Sequence, residues 1–128
     1  MTKFDASFKQ FQKALKRLHE VLGKKKSAIT RDSAIKRFEL TFDIAWKLAK
    51  AYLEEFEGIR CASPKECFRE AYRTGLIGYS VLWIRMTDWR NKAVHTYNEK
   101  YADGLYRKLP KVLSAFRLLE NSLRDRTG

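Results

Sequence analysis

"RDSAIKRFELTFDIAWKLAKAYLEEFE", residues 31–57, is the stretch that decides the fold. Ile35, Phe38, Phe42, Ala45, Trp46, Ala49, Leu53 and Phe56 recur at spacings of three and four. That period is helical, and the stretch contains no glycine or proline to interrupt it. Leu40, Ile44, Leu48 and Tyr52 form a second apolar line. A helix apolar on more than one side belongs at the centre of a bundle, or against a partner. Thr30 or Asp32 is the expected cap at its start.

Working outward, "GKKKSAITRDS" (23–33) and "EGIRCASP" (57–64) read as connectors. Before the first lies a helix over about 3–22, with Phe4, Phe8, Phe11, Leu15, Leu18 and Leu22 in one stripe. After the second, "SPKE" opens a short helix. Ser63 is its N-cap, Pro64 its first residue and Glu66 the partner in a capping box; the helix ends near Gly75. A fourth helix is expected from about Tyr79 to His95, and a last one over about 99–124. Pro110 is expected to kink or split the last helix. No strand pattern competes. The reading is all-α: an up-and-down four-helix bundle with a short extra helix, one domain over 1–128. The extra apolar surface predicts a two-fold dimer, which a monomeric mass in light scattering would refute.

Composition bounds the function. The chain has 128 residues, 45% hydrophobic and 13% aromatic, too apolar for a disordered protein. Charge interrupts every apolar run, so no membrane span is expected, and the N-terminus lacks the apolar core of a signal peptide; the expected location is the cytoplasm. Cys61 and Cys67 are accordingly expected as free thiols, with a single disulfide staple between them as the alternative, and without the partners a zinc site needs. The 27 Lys and Arg against 15 Asp and Glu leave a net charge of +12, which points to a polyanionic partner such as RNA, DNA or an acidic protein. A glycine-rich phosphate loop is missing, as is the aspartate cluster of a metal-dependent nucleotidyltransferase. No cofactor or metal is expected.

The chemistry concentrates in "DWRNKAVHTYNE", residues 88–99. Cleavage of RNA without metal needs a base for the 2′-OH, an acid for the leaving 5′-oxygen and a cation for the phosphoryl charge. Histidine titrates near neutrality and serves either proton step. Arginine is always charged and grips phosphate with two parallel hydrogen bonds. His95 and Arg90 supply these two kinds of group, and a two-fold dimer would double the single histidine. On a continuous helix they stand about 140° apart, so they are not vertical neighbours. Asn91 shares a face with His95. Asp88 is expected to orient Arg90 or to pair with Lys92. Tyr97 is a candidate for phosphate or base contact, with packing against the last helix as its plain structural role. His19, Arg85 and Lys24-Lys25-Lys26 read as solvated surface, with a cationic track through Arg85 and guidance of RNA by the lysine run as the alternatives, and Trp83 and Trp89 read as core or interface. Arg37 and Glu39 suggest no chemistry of their own.

"RNKAVHTY" (90–97) resembles the Arg-x4-His-x-Tyr signature of HEPN proteins, in particular the HepT-like toxin group, also known as the nucleotidyltransferase substrate-binding protein family. "RFELTFDIAWKLAKAYLE" (37–54) is similar to that family's second helix, and "SPKECFREAYRTGLI" with "WIRMTDWRNKAVHTY" (63–97) to its third and fourth, so the likeness runs from about residue 4 to 120. The resemblance implies a dimeric helical bundle, metal-independent RNase activity with Arg90 and His95 as the catalytic pair, and Asn91 as the polar residue after the arginine. It implies a minimal nucleotidyltransferase as partner and antitoxin, which would modify Tyr97 with AMP. The alternative within the same family is a non-catalytic subunit that presents a nucleotide or other substrate to the nucleotidyltransferase. A third reading is a basic interaction module with no site.

Overall fold

The computed structural model describes residues 2–78 and 80–128, Ser80 by its backbone alone; the expected start of the fourth helix at Tyr79 lies outside them. The elements are α1 (Lys3–Leu22), α2 (Ala28–Glu57), α3 (Pro64–Arg73), α4 (Ser80–Lys92), a 3-10 turn (Ala93–His95) and α5 (Glu99–Thr127). This is the expected all-helical bundle: four main helices and the short α3, with no strand among the described residues.

The first three starts have local causes. Thr2 and Asp5 close a reciprocal capping box on α1. For α2 the cap is neither Thr30 nor Asp32 but Ser27, which accepts from the Thr30 amide while the Thr30 hydroxyl accepts from the Ser27 amide. Thr30 therefore serves as the third residue of a box that starts earlier than expected. The α3 start follows the expectation at Ser63 and Pro64, but among the described residues Glu66 does not return the second bond of a box. Gly58 ends α2 with φ +67°, a left-handed conformation in which a side chain is strained.

Two other expectations are corrected. Of the kink or split expected at Pro110 the split does not occur, since α5 runs unbroken from Glu99 to Thr127. Pro110 is exposed while Leu109 and Val112 are buried, so the hydrogen bond it removes lies on the solvent side. Cys61 and Cys67 are not free thiols: their sulfurs are bonded, with Cα atoms 5.2 Å apart. The turn after Gly58 carries Cys61 back over the first turns of α3, within bonding reach of Cys67, and both residues are buried.

One cluster of buried side chains draws on all five helices. At its centre Phe11 of α1 meets Phe116 of α5 edge-on at 5.9 Å, Phe116 meets Trp83 of α4 at 5.7 Å, and Trp83 meets Phe68 of α3 at 4.6 Å. Trp83 is thus core, as expected, while Trp89 is half-buried under Lys108 Nζ, 5.1 Å from its ring centroid. No described helix is long and apolar enough to cross a membrane.

A second device joins the starts of α2 and α5. Arg31, buried, donates to Glu99 at 2.6 Å, to Asp103 at 3.1 Å and to Asp32 at 2.9 Å, and Lys26 Nζ adds a contact to Asp103 at 3.0 Å. The bond from Arg31 holds the Glu99 carboxyl below its ordinary range, and Lys26 with Arg31 does the same for Asp103. Carboxyls depressed in the folded state contribute stability that is complete at neutral pH and lost as pH falls through their folded pKa values. A Glu99→Gln, Asp103→Asn double variant is therefore expected to melt below wild type at pH 7. The gap should close below about pH 4, as followed by circular dichroism.

Candidate functional site

The site is built where α4 runs out. Its last turn carries Trp89, Arg90, Asn91 and Lys92; the chain then tightens through Ala93–His95, and Asn98 caps α5 by accepting from the Tyr101 amide. Buried Ala93 anchors the tightened turn against the core. Val94 and His95, which follow it, face solvent.

Arg90 turns inward onto α2. Its Nε donates to Asp43 Oδ1 at 2.9 Å and its Nη2 to Asp43 Oδ2 at 3.0 Å, a two-pronged bond; its Nη1 donates to Glu39 Oε1 at 3.0 Å. The side chain is 27% exposed, against 17% for Glu39 and 40% for Asp43, so the cluster is only partly shielded from water. The Asp43 hydrogen bonds push the guanidinium further up, against the opposing effect of burial, with the charges of Asp43 and Glu39 adding to the rise. Arg90 is thus a fixed cation held at three nitrogens, with one N–H left on each terminal nitrogen. One cation against two carboxylates leaves this cluster net negative.

His95 is not part of that cluster. It is exposed, and its Nδ1 lies 3.5 Å from the Tyr97 hydroxyl, at the outer edge of a hydrogen bond, with ring centroids 5.9 Å apart. Tyr97 is 82% exposed, which removes the reading in which it packs against the last helix. Within one chain, then, the sequence-expected residues form two groups: His95 with Tyr97 at the surface, and Arg90 with α2. Among the described residues no hydrogen bond joins Arg90 to His95. Asn91 is exposed and makes no side-chain hydrogen bond in that set.

Asp88 does neither thing expected of it. Its carboxylate takes Lys65 Nζ of α3 at 2.7 Å, because it sits on the α3 side of α4 while Arg90, two residues on, faces α2. The residues that do orient Arg90, Glu39 and Asp43, escaped the reading of the sequence. They lie 51 and 47 residues away, and their only signal was two carboxylates four apart, on one edge of a helix that carries many other charges. His19 and Arg85 are exposed, as expected. No group of three or more His, Cys, Asp or Glu side chains converges as metal ligands would among the described residues.

Replacing Arg90 with lysine keeps the charge and loses the two-pronged bond to Asp43. In the RNase that the resemblance implies, with Arg90 as a catalytic group, Arg90→Lys and Asp43→Asn would each slow RNA cleavage by about tenfold, the equivalent of roughly one lost charge-assisted hydrogen bond in a partly exposed site. Initial rates on a fluorescent oligonucleotide check this.

Three comparisons bear on this arrangement. Residues 2–125 match the family described as nucleotidyltransferase substrate binding protein like. A Haemophilus influenzae protein called probable ribonuclease HepT is 32% identical over 97 residues, covering 73% of this chain and 66% of that one. The chain thus spans just under two thirds of that relative. Among solved structures, a Thermus thermophilus protein shares 40% identity with a TM-score of 0.85, over 89% of this chain and 98% of its own. HI0074 of Haemophilus influenzae, whose structure is described as the fold of a substrate-binding domain of a nucleotidyltransferase, shares 26% identity with a TM-score of 0.70, over 94% and 96%. With the family match spanning nearly all of it, the chain belongs to the HepT-like, nucleotidyltransferase substrate-binding protein family.

Proposed function

We propose that the chain is a metal-independent endoribonuclease, the toxin of a two-component pair whose other member is a minimal nucleotidyltransferase. The observation that carries this reading is the exposed His95 with Tyr97 at its side, one turn beyond an arginine fixed by two carboxylates. An accessible imidazole is what proton transfer to and from RNA requires. In the reaction a base removes the 2′-OH proton, the 2′-oxygen attacks phosphorus, and the 5′-oxygen leaves with a proton from an acid. The products are a 2′,3′-cyclic phosphate and a 5′-hydroxyl. Two copies of His95 across a homodimer would divide the two proton transfers, and Arg90 would meet the phosphoryl charge through its remaining N–H groups.

The accessible Tyr97 phenol suits the proposed control. Its oxygen would attack the α-phosphorus of ATP in the partner's active site, releasing pyrophosphate and losing its proton. The AMP left on Tyr97 would place a phosphate beside His95 and close the site to RNA. The name given to the Haemophilus influenzae relative, probable ribonuclease, favours the same activity. A cytoplasmic setting belongs to this reading.

One observation favours a second reading. Arg90 is committed to Asp43 and Glu39, and a net-negative cluster holds phosphate poorly. A non-catalytic subunit that presents substrate to the nucleotidyltransferase would need Arg90 only as a fixed strut. Cleavage of RNA in EDTA by the purified chain, shown by intact mass to lack AMP, separates the two: cutting supports the nuclease, and no cutting together with a stable complex with the nucleotidyltransferase supports the subunit.

A further inference from the structure

The Arg90 cluster is net negative, so it is not what draws a polyanion to the chain. The surplus of 27 Lys and Arg over 15 Asp and Glu lies outside it. On the seam between α1 and α2 a hollow of about 450 Å³ is lined by Lys13 and Arg17 of α1 and by Arg37 of α2, with no carboxylate in its wall. None of these three makes an ion pair among the described residues; Arg37 donates only to the Ser33 hydroxyl, at 3.3 Å. The floor is aliphatic, from Leu40 and Ile44, and Leu40 is 52% exposed. Beyond Arg17 and Arg37 the hollow runs on into a second one that includes Lys24, exposed Ile29 and a single carboxylate, Glu20. From Lys13 the cationic wall follows α1 for about 14 Å to its end at Leu22, with Lys24 just beyond.

We infer that this α1–α2 groove is a docking track for the sugar–phosphate backbone of single-stranded RNA. The inference deepens the RNase reading, since it supplies the substrate-holding surface that the Arg90 cluster lacks. Two features select a strand over a small nucleotide. The groove is open and elongated, and its cations are spaced along a line rather than gathered round one point. Leu40 and Ile44 directly follow Glu39 and Asp43 in sequence, so the groove and the Arg90 cluster occupy neighbouring flanks of the same turns of α2, about 100° apart. A strand held in the groove lies one flank of α2 away from the cluster.

The test measures binding separately from cleavage. His95→Ala protein serves as the background so that RNA survives. Binding of a fluorescent single-stranded oligonucleotide is titrated against salt for that protein and for two charge-matched variants of it. One carries Lys13→Gln, Arg17→Gln and Arg37→Gln. The other carries Arg69→Gln, Lys111→Gln and Arg117→Gln on α3 and α5. Each phosphate contact contributes about 0.7 to the slope of log affinity against log salt, so the groove variant is expected to lose about 2 from that slope and to bind about tenfold or more weakly at low salt. The other variant should change little, with melting curves confirming both folds. Equal losses in the two variants, an unchanged slope in the groove variant, or no RNA binding by the background protein would each overturn the docking track. So would poly-glutamate that occupies the groove when RNA does not, which would assign it to an acidic protein. Cleavage by the wild-type chain with a groove variant that binds normally overturns the track and leaves the nuclease standing. Groove-dependent binding without cleavage does the reverse.

Discussion

His95→Ala is expected to reduce RNA cleavage in EDTA by about 10²–10⁴-fold, the range that a positioned proton carrier contributes. The fold should not register the change. His95 is exposed, its ring stands beside the exposed Tyr97, and the hydrogen bond that its position contributes to the turn is one its backbone oxygen accepts from the Asn98 amide at 3.0 Å. Substitution at such a site shifts stability by less than about 0.5 kcal/mol. His19→Ala is the matched control, an exposed histidine on α1 away from the signature, and should cut as wild type does. A large loss of rate with an unmoved melting temperature places His95 in the chemistry. An unchanged rate would detach the cutting from His95. A wild-type chain that does not cut at all, with Tyr97 free of AMP, would favour the substrate-presenting subunit. Tyr97→Phe refines the result: it removes the hydroxyl 3.5 Å from Nδ1 and the proposed modification site together, so it should keep cleavage active in the presence of the nucleotidyltransferase and ATP.

What the sequence disclosed and what it withheld divide along the range of the interaction. Apolar periodicity is local, and it placed α1 over 3–22 and put Phe38, Phe42, Ala45 and Leu53 in the core. The Ser63-Pro64 start of α3 is equally local. The α2 cap was local too, yet it was missed, because Ser27 closes its box with a threonine where the usual pattern has Glu or Gln. Pro110 does not split α5, because a proline breaks a helix when the lost bond cannot be replaced, and here that bond falls on the exposed side of a long helix packed against α1 and α2. The thiols were judged from an expected compartment, whereas chain geometry brought them together. The partners of Arg90 were the least legible. Reading along α4 offers Asp88, two residues away, but two residues along a helix is the wrong face, and the true partners come from α2 across the bundle. The charge of +12 was plain in the composition; that the Arg90 cluster itself is net negative was visible only after folding.

Phe116→Ala is expected to destabilise the chain by about 3–5 kcal/mol, the range for removing a buried phenyl ring. Phe116 is fully buried and stands between Phe11 and Trp83, so it ties α5 to α1 on one side and to α4 on the other. Truncation leaves a hole bounded by two rings that are themselves pinned, Trp83 by Phe68 at 4.6 Å and Phe11 by its place in the buried stripe of α1. Neither can collapse freely into the space, which argues for the upper part of the range. Phe116→Leu keeps much of the volume and should lose clearly less. Urea unfolding followed by tryptophan fluorescence checks both, since Trp83 reports on the damaged contact itself. The consequence for the site is indirect. Arg90 rides on α4 two turns after Trp83, and its bonds to Asp43 and Glu39 require α4 to stay registered against α2. Under conditions where Phe116→Ala is still folded, a nuclease that depends on that register should lose activity in proportion to the loosening of α4, while Phe116→Leu keeps most of it. A Phe116→Ala protein that unfolds far more easily yet cuts at the wild-type rate while folded would show that the Arg90 cluster holds α4 in register without help from the core.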